Sequence, residues 1–594
     1  MKNRDEILDE YKWDLTDIFK SHDLWEVAVN EVYEKSKKFA DFKTKLKDPN
    51  ELSSCLKLKD DLGEKLGLVE LYAYLKSDED KRISENQILV NKADQVRAKY
   101  ESSISFIAPE LLEIGEHLRT LSNEENLKIY SHYFDNILRA KEHTLTSNEE
   151  NLLAKMGELY PAFSNIYTMI NNADMEFEDV EDKDGNKHKL TLGTAGIFAI
   201  SYDRVLRKNA AVSLMKEYER RINSIGQTFI ESLKQDKIIS ELRNYNSTLE
   251  MKLAEDNIPV EVYTNLLETV SENLGPLHKL MKLRKKVLGL DELYTYDNSV
   301  PLVKEADIKI DYPEAVENVL ESLKILGEDY YQIAKKGFAS RWIDVYENTG
   351  KRSGAYSWSV PGSHPYILMN YNRTVSDMFT LTHEMGHSVH SYLSQKTQPF
   401  LYGDYSIFSA EIASTVNETL LHNYLMKTTK DPKIRAYLLN QRIDRIRSLI
   451  FRQVTFAEFE MKAHELAKNG TASLESLNEI FLELSKREYG DDVKFLEYSS
   501  KTWTSIPHFY RSFYVLQYAT GLVAAIAIVE KIEKKGQPAI DAYLDMLKAG
   551  NSDYSLNLLK KAGVDLTTKE PIEAAMRYFS NLVDQLEEEL EKIQ

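Results

Sequence analysis

The sequence predicts a mainly α fold with a small β component, and three observations carry that prediction. Apolar residues recur at helical spacing against Glu- and Lys-rich faces along most of the chain. Strand-like patterning is confined to short stretches, around residues 175–192 and 364–371. The length, 594 residues with 42% hydrophobic content, is enough for more than one lobe with its own core. Residues 1–170 alternate Leu, Ile, Val and Tyr stripes with charged faces and break at Asp48-Pro49-Asn50 and at Pro109, as a bundle of helices does. Between Met175 and Leu192 an Asp184-Gly185 turn joins two short runs and predicts a β-hairpin. Helices resume to about residue 290, Leu293 to Pro365 is mixed, and from residue 372 the pattern is helical to the end. No repeat or low-complexity linker marks a boundary. The division is placed near residue 200, giving an N-terminal helical lobe of residues 1–200 and a second lobe of residues 201–594.

Composition narrows the function classes. The formal net charge of −19 leaves no global basic footprint for nucleic acid or an anionic membrane. A single cysteine, Cys55, excludes an intramolecular disulfide framework and fits a reducing compartment. No apolar h-region follows Met1-Lys-Asn-Arg-Asp-Glu6, so no signal peptide is expected, and the longest apolar run, Leu522 to Val529, is too short to span a bilayer. A cytoplasmic protein with neither nucleic-acid nor membrane partners is expected.

The chemistry is concentrated in His383-Glu384-Met385-Gly386-His387. Two imidazoles four positions apart on a helix lie on one face, which suits two ligands of a tetrahedral Zn²⁺, and the carboxylate between them is placed to take a proton from water. Met378, Leu381, Met385, Val389 and Leu393 form an apolar stripe at helical spacing, and His383, His387 and His390 fall on the opposite face. A third histidine at that spacing does not fit metzincins, where Leu393 would have to be the ligand. His390 is therefore expected beside the metal ligands or on the substrate side. A third protein ligand is still required. On a helix predicted from Ser406 past Leu421, Glu411, Thr415 and Glu418 share a face. Glu411 is the first choice as ligand with Glu418 as the alternative; otherwise Glu418 fixes the tautomer of a ligating imidazole. A near-motif, His464-Glu465-Leu466-Ala467-Lys468, puts lysine where a second imidazole would be needed and reads as helix surface.

The strings Leu381-Thr-His-Glu-Met-Gly-His-Ser-Val-His390 and Phe408-Ser-Ala-Glu411-Ile-Ala-Ser-Thr-Val-Asn-Glu418 closely resemble the M3 family of zinc metallopeptidases, in its oligoendopeptidase F branch, a thimet oligopeptidase-like group. Trp13-Asp-Leu-Thr-Asp-Ile-Phe19, Arg352-Ser-Gly-Ala-Tyr-Ser357, Pro365-Tyr-Ile-Leu-Met-Asn370, Phe451 to Phe459 and Ile506 to Gly521 extend the resemblance over essentially the whole chain. It implies two helical lobes flanking a deep substrate channel, with a small β-sheet near the zinc helix. It also implies one Zn²⁺ per chain, an endopeptidase acting on short oligopeptides, and Glu384 as general base. By the same resemblance His508, Tyr514 and Tyr518 serve the oxyanion or substrate carbonyl, together with Tyr510 as a substrate contact. Leu516 stands where the family leads one to expect a further tyrosine. The β-rich stretch His364 to Tyr371 is read as a strand that either offers a free edge to an extended peptide through Tyr366, with Gly354, Ala355 and Tyr356 lining the same wall, or is a plain buried strand, and the two readings carry equal weight. A zinc carboxypeptidase on the same scaffold, and a non-catalytic helical interaction protein with a structural metal, are the competing readings. The second is disfavoured because structural zinc sites are commonly Cys-rich.

Overall fold

The computed structural model describes residues 2–303 and 308–593; Met1, Gln594 and residues 304–307, the last inside the segment predicted as mixed, lie outside it. The fold is mainly α, with seven strands of two or three residues among the described residues. Two compact units emerge, and they do not part at residue 200. One comprises Met1–Glu142, Ile308–Leu425 and Ile528–Val564; the other comprises His143–Asp307, Met426–Ala527 and Asp565–Gln594.

In the first unit the long helix Pro49–Glu79 begins at the break expected from the sequence. Asp48 accepts from the backbone N–H of Asn50 and of Glu51, and Pro49 takes the first turn, where a missing N–H costs nothing. With His22–Ser36 and Ser84–Ile104 it closes a core around Trp25, Leu56, Val69, Ala93 and Phe134. The N-terminal Trp13 packs elsewhere. Its ring meets Tyr366 edge-on, with centroids 6.1 Å apart, and its indole N–H donates to Glu79 at 2.9 Å. A second small core results, made of Trp13, Leu15, Leu71, Leu75, Tyr366 and Leu368.

That core sits on a three-stranded sheet ordered Ile343–Asp344, Tyr366–Leu368, Tyr356–Trp358. The first pair is parallel and the second antiparallel, with Ser357 opposite Ile367. Of the two readings of this strand, edge or buried, the structure has the buried one, and the strand is central. Tyr366, Ile367 and Leu368 are fully buried, and an uninterrupted apolar run covered on both faces belongs in the middle of a sheet. The edge nearest the predicted wall is Tyr356–Trp358.

The second unit contains the predicted hairpin, with Val180–Glu181 antiparallel to Lys187–His188. Asp182 braces its turn by accepting from the N–H of Asp184 and of Asn186, and Gly185 adopts φ +83°. Its main core joins Ile222–Leu242, Arg452–Lys468 and Leu474–Tyr489 through Phe229, Phe459, Phe481 and Trp503. A short two-stranded parallel pairing, Leu293–Tyr294 with Val493–Lys494, lies in the same unit. None of the described helices is long and apolar enough to cross a membrane, and Leu522 to Val529 is buried as expected.

Candidate metal centre

His383, Glu384 and His387 lie in the helix Val375–Thr397, here called the His helix. Thr374 caps it, accepting from the Asp377 N–H while the Asp377 carboxylate accepts from the Thr374 N–H. Glu411 and Glu418 lie on Ile407–Thr428, the Glu helix. Gly386 lets the two helices approach: a Cβ there would meet the Ser414 Cα at 2.6 Å and the Ala413 carbonyl at 2.8 Å. Asn417 fixes their register, donating to the Thr382 carbonyl at 3.2 Å and accepting from the Tyr330 hydroxyl at 2.8 Å.

This approach brings three donor atoms together. The Nε2 atoms of His383 and His387 are 3.1 Å apart, and Glu411 Oε2 lies 3.4 Å from the first and 3.9 Å from the second. Ligands 2.0–2.2 Å from a tetrahedral centre are separated by about 3.3–3.6 Å, and the three observed separations lie on either side of and within that range, so the donors fit a zinc site after shifts of a few tenths of an ångström. His383, His387 and Glu411 form the one group of three or more His, Cys, Asp or Glu side chains among the described residues that could hold a metal ion. Glu418 stands behind His383, on the side away from Glu411. Its Oε1 accepts from the Nδ1–H of His383 at 2.6 Å, which fixes the tautomer and turns Nε2 toward Glu411.

The electrostatics separate the two imidazoles. Burial works against a charge on His383, but the Glu418 hydrogen bond and nearby carboxylates outweigh it and raise its pKa. Burial and the neighbouring His383 hold His387 well below its ordinary value, in the neutral form that can ligate. Glu384 is almost fully buried; burial, reinforced by Glu411 and Glu418 and opposed by His383, pushes its pKa up to about 7. The backbone N–H of Ser357 favours its ionised form. Ser357 also joins Ser388 of the His helix, Oγ to Oγ at 2.8 Å, tying the edge strand to the helix.

The remaining expected residues divide. His390 is buried rather than on an open substrate side: its ring stacks on Tyr405 at 3.7 Å, and the Tyr405 hydroxyl is 2.9 Å from Ser391 Oγ. Burial lowers its pKa to about 3. Tyr366 is fully buried and its hydroxyl donates to the Asp14 carbonyl at 3.2 Å, so it is a core residue and not part of a substrate wall. Gly354 is exposed at φ +84°, and Ala355 and Tyr356 lead from it into the edge strand, with the Tyr356 hydroxyl donating to Asp78 at 2.6 Å.

In the second unit, His508, Tyr514 and Tyr518 form an aromatic trio. Tyr514 and Tyr518 meet edge-on at 5.5 Å, His508 lies 6.1 Å from Tyr518, and the Arg511 guanidinium covers Tyr514 at 3.8 Å. Tyr510, expected with them as a substrate contact, packs elsewhere. Its ring stacks on Tyr167 at 4.6 Å within a cluster holding Met215 and Tyr218. Leu516 is buried. Sequence reasoning missed Ser357, Ser388, Tyr405 and Asn417, which touch or brace the centre. Ser388 and Asn417 lie on the His and Glu helices themselves but are small polar residues with no ligand spacing, and Ser357 and Tyr405 come from outside those helices.

A helical fold carrying two imidazoles and a carboxylate at ligand separation, with a buried glutamate between the imidazoles, defines a metallopeptidase. The chain belongs to Peptidase family M3, which it matches over residues 197–578, and residues 110–177 match the N-terminal family described as Oligopeptidase F. It is 42% identical to Oligopeptidase PepF of Bacillus subtilis, over 100% of this chain and 89% of the relative. It is 39% identical to Group B oligopeptidase PepB of Streptococcus agalactiae, over 98% of each. Among solved structures, oligoendopeptidase-F from Enterococcus faecium is similar at TM-score 0.73 and 33% identity, covering 96% of this chain and 99% of that one.

Proposed function

We propose that the chain is a zinc-dependent endopeptidase that hydrolyses internal bonds of short peptides, with Glu384 as general base. The observation that carries this reading is the convergence of His383 Nε2, His387 Nε2 and Glu411 Oε2 within ligand separation beside Glu384. Zinc held by His383, His387 and Glu411 would supply a Lewis acid that polarises the scissile carbonyl and acidifies water. Glu384 takes the proton of the attacking water and returns it to the leaving amine. Glu418 keeps His383 in the ligating tautomer. The extended substrate pairs with the free edge of Tyr356–Trp358, next to the Gly354-Ala355 turn, rather than with the central strand. To His508, Tyr514 and Tyr518 we assign the hydrogen bonds to the carbonyl oxygen as it gains charge. The names of the relatives, oligopeptidase and oligoendopeptidase, support short peptides as the substrate class.

Glu384→Gln tests the base. The variant is expected to keep its fold and zinc content and to lose about 10²–10⁴ of kcat/KM; full activity would remove Glu384 from that role. An eight-residue peptide blocked at both ends tests the bond class. Internal cleavage is expected, and failure to cut it while cutting the same peptide with a free C-terminus would make the enzyme a carboxypeptidase.

A further inference from the structure

The segment that carries the aromatic trio contains a backbone anomaly. Phe513, next to Tyr514, has φ +62°, a left-handed conformation that bulky side chains rarely adopt. Such a conformation persists only where surroundings enforce it. Here a chain turn between Pro507–Tyr510 and the helix Leu516–Lys535 is enforced from below by one face of Arg452–Lys468.

Glu460 and His464, four residues apart on that helix, both reach Phe513. The Phe513 backbone N–H donates to Glu460 Oε1 at 2.6 Å, and the Phe513 ring stacks on the His464 imidazole with centroids 4.7 Å apart. Tyr263 closes the other side edge-on at 5.7 Å, its own hydroxyl held by the Ala457 carbonyl. Next in the chain, the Ser512 hydroxyl donates to Asp236. Glu460 is fully buried and His464 nearly so, contrary to the helix-surface reading of His464 to Lys468. Neither His464 nitrogen nor Glu460 Oε2 has a hydrogen-bond partner. Burial raises the Glu460 pKa well above the carboxylate range and holds His464 neutral, with its pKa lowered to about 3. The helix therefore keeps two costly polar groups buried, within reach of the charges of Asp236 and Lys252, and the Glu460 bond goes to the strained residue. Phe513 is buried and Tyr514 only half-buried, so the torsion that Glu460 holds sets where Tyr514 leaves the core.

We propose that Glu460 and His464 are positioning residues for peptide hydrolysis: a buried clamp that locks Phe513 left-handed and thereby presents Tyr514, under Arg511 and beside Tyr518, to the substrate. This rests on the reading that Tyr514 contacts the substrate. The clamp acts through the backbone, so it needs an acceptor at position 460 and a flat ring at 464, not a charge at either.

Peptide-cleavage kinetics on Glu460→Leu, Glu460→Gln, His464→Leu, Tyr514→Phe and the Glu460→Leu/Tyr514→Phe pair, with zinc content and thermal midpoint on each, test this. Glu460→Leu is expected to lose tenfold or more of kcat/KM at unchanged zinc content. Glu460→Gln, whose amide oxygen still accepts from Phe513, is expected within threefold of the parent. The double variant should lose no more than its worse single variant, because both changes remove the same contact. If Glu460→Leu does not fold, His464→Leu carries the test, with a three- to tenfold loss expected that is absent in the Tyr514→Phe background. Losses that multiply, a Gln variant as poor as the Leu variant, or parental activity in both Glu460→Leu and His464→Leu would overturn the clamp alone. Parental activity in Tyr514→Phe would overturn the substrate role of Tyr514 and the clamp with it.

Discussion

The His helix and Arg452–Lys468 both enclose histidine side chains, and they do so on opposite terms. On the His helix, His383 and His387 meet a carboxylate on each side, Glu411 at their Nε2 atoms and Glu418 behind His383. On Arg452–Lys468, His464 has an aromatic ring and no hydrogen-bond partner. Both are glutamate-and-histidine pairings at helical spacing, yet only the first gathers ligands. The difference lies in the neighbour: a second helix brought to backbone contact by Gly386 delivers Glu411 and Glu418, whereas His464 faces the Phe513 ring and the charge of Lys252. Polar atoms in a core thus mark chemistry when their partners converge, and hold backbone geometry when one partner is a strained N–H.

The widest separation between the two is expected from matched substitutions. His387→Leu should abolish stoichiometric zinc binding and reduce peptide cleavage more than a thousandfold, since two ligands no longer hold the ion. His464→Leu should keep full zinc content by elemental analysis, with the modest loss given above. Zinc loss in the second variant would dissolve the contrast. A smaller effect is expected at Glu418. Replacing it by Gln leaves His383 able to ligate but without a charged partner, and zinc affinity measured by competition with a chelator should fall about 10–100-fold. An unchanged affinity would show that the tautomer is fixed by other means.

The same contrast explains what could be read from the chain. The metal pair was legible because its geometry is local: four residues on a helix suffice. Glu411 and Glu418 were legible as a shared face, and their helix was found within a residue or two of its observed start at Ile407. The burial of His390 could not be read because a helical wheel ignores distance along the axis. His390 lies within the same angular sector as His383 but about 10 Å further along, where Tyr405 covers it. The choice between an edge and a buried place for Tyr366–Leu368 could not be made from the sequence because its neighbours, Ile343–Asp344 and Tyr356–Trp358, are two or three residues long and pair non-locally. The N-terminal Trp13 that covers Tyr366 is remote in sequence. Glu460 and His464 look like surface letters. Only a tertiary environment that keeps both uncharged reveals their place.

The smallest predicted effect isolates that uncharged state. Burial lowers the His464 pKa from an ordinary 6.5 to about 3, so the folded protein does not take up this proton between those values while the unfolded chain does. More protons bound on unfolding means that stability falls as the pH drops through 6.5 and goes on falling toward 3. From pH 7 to pH 5 the contribution is about 2 kcal/mol, taking 1.36 kcal/mol per pH unit below the unfolded pKa. His390, whose pKa is also lowered to about 3 by burial, adds the same slope and is present in both proteins compared. The expected outcome is therefore a difference: in urea unfolding at pH 7 and pH 5, His464→Leu should lose less stability than the parent by about that amount. Equal losses would mean that His464 is already protonated in the folded protein at pH 5 and would overturn the neutral assignment.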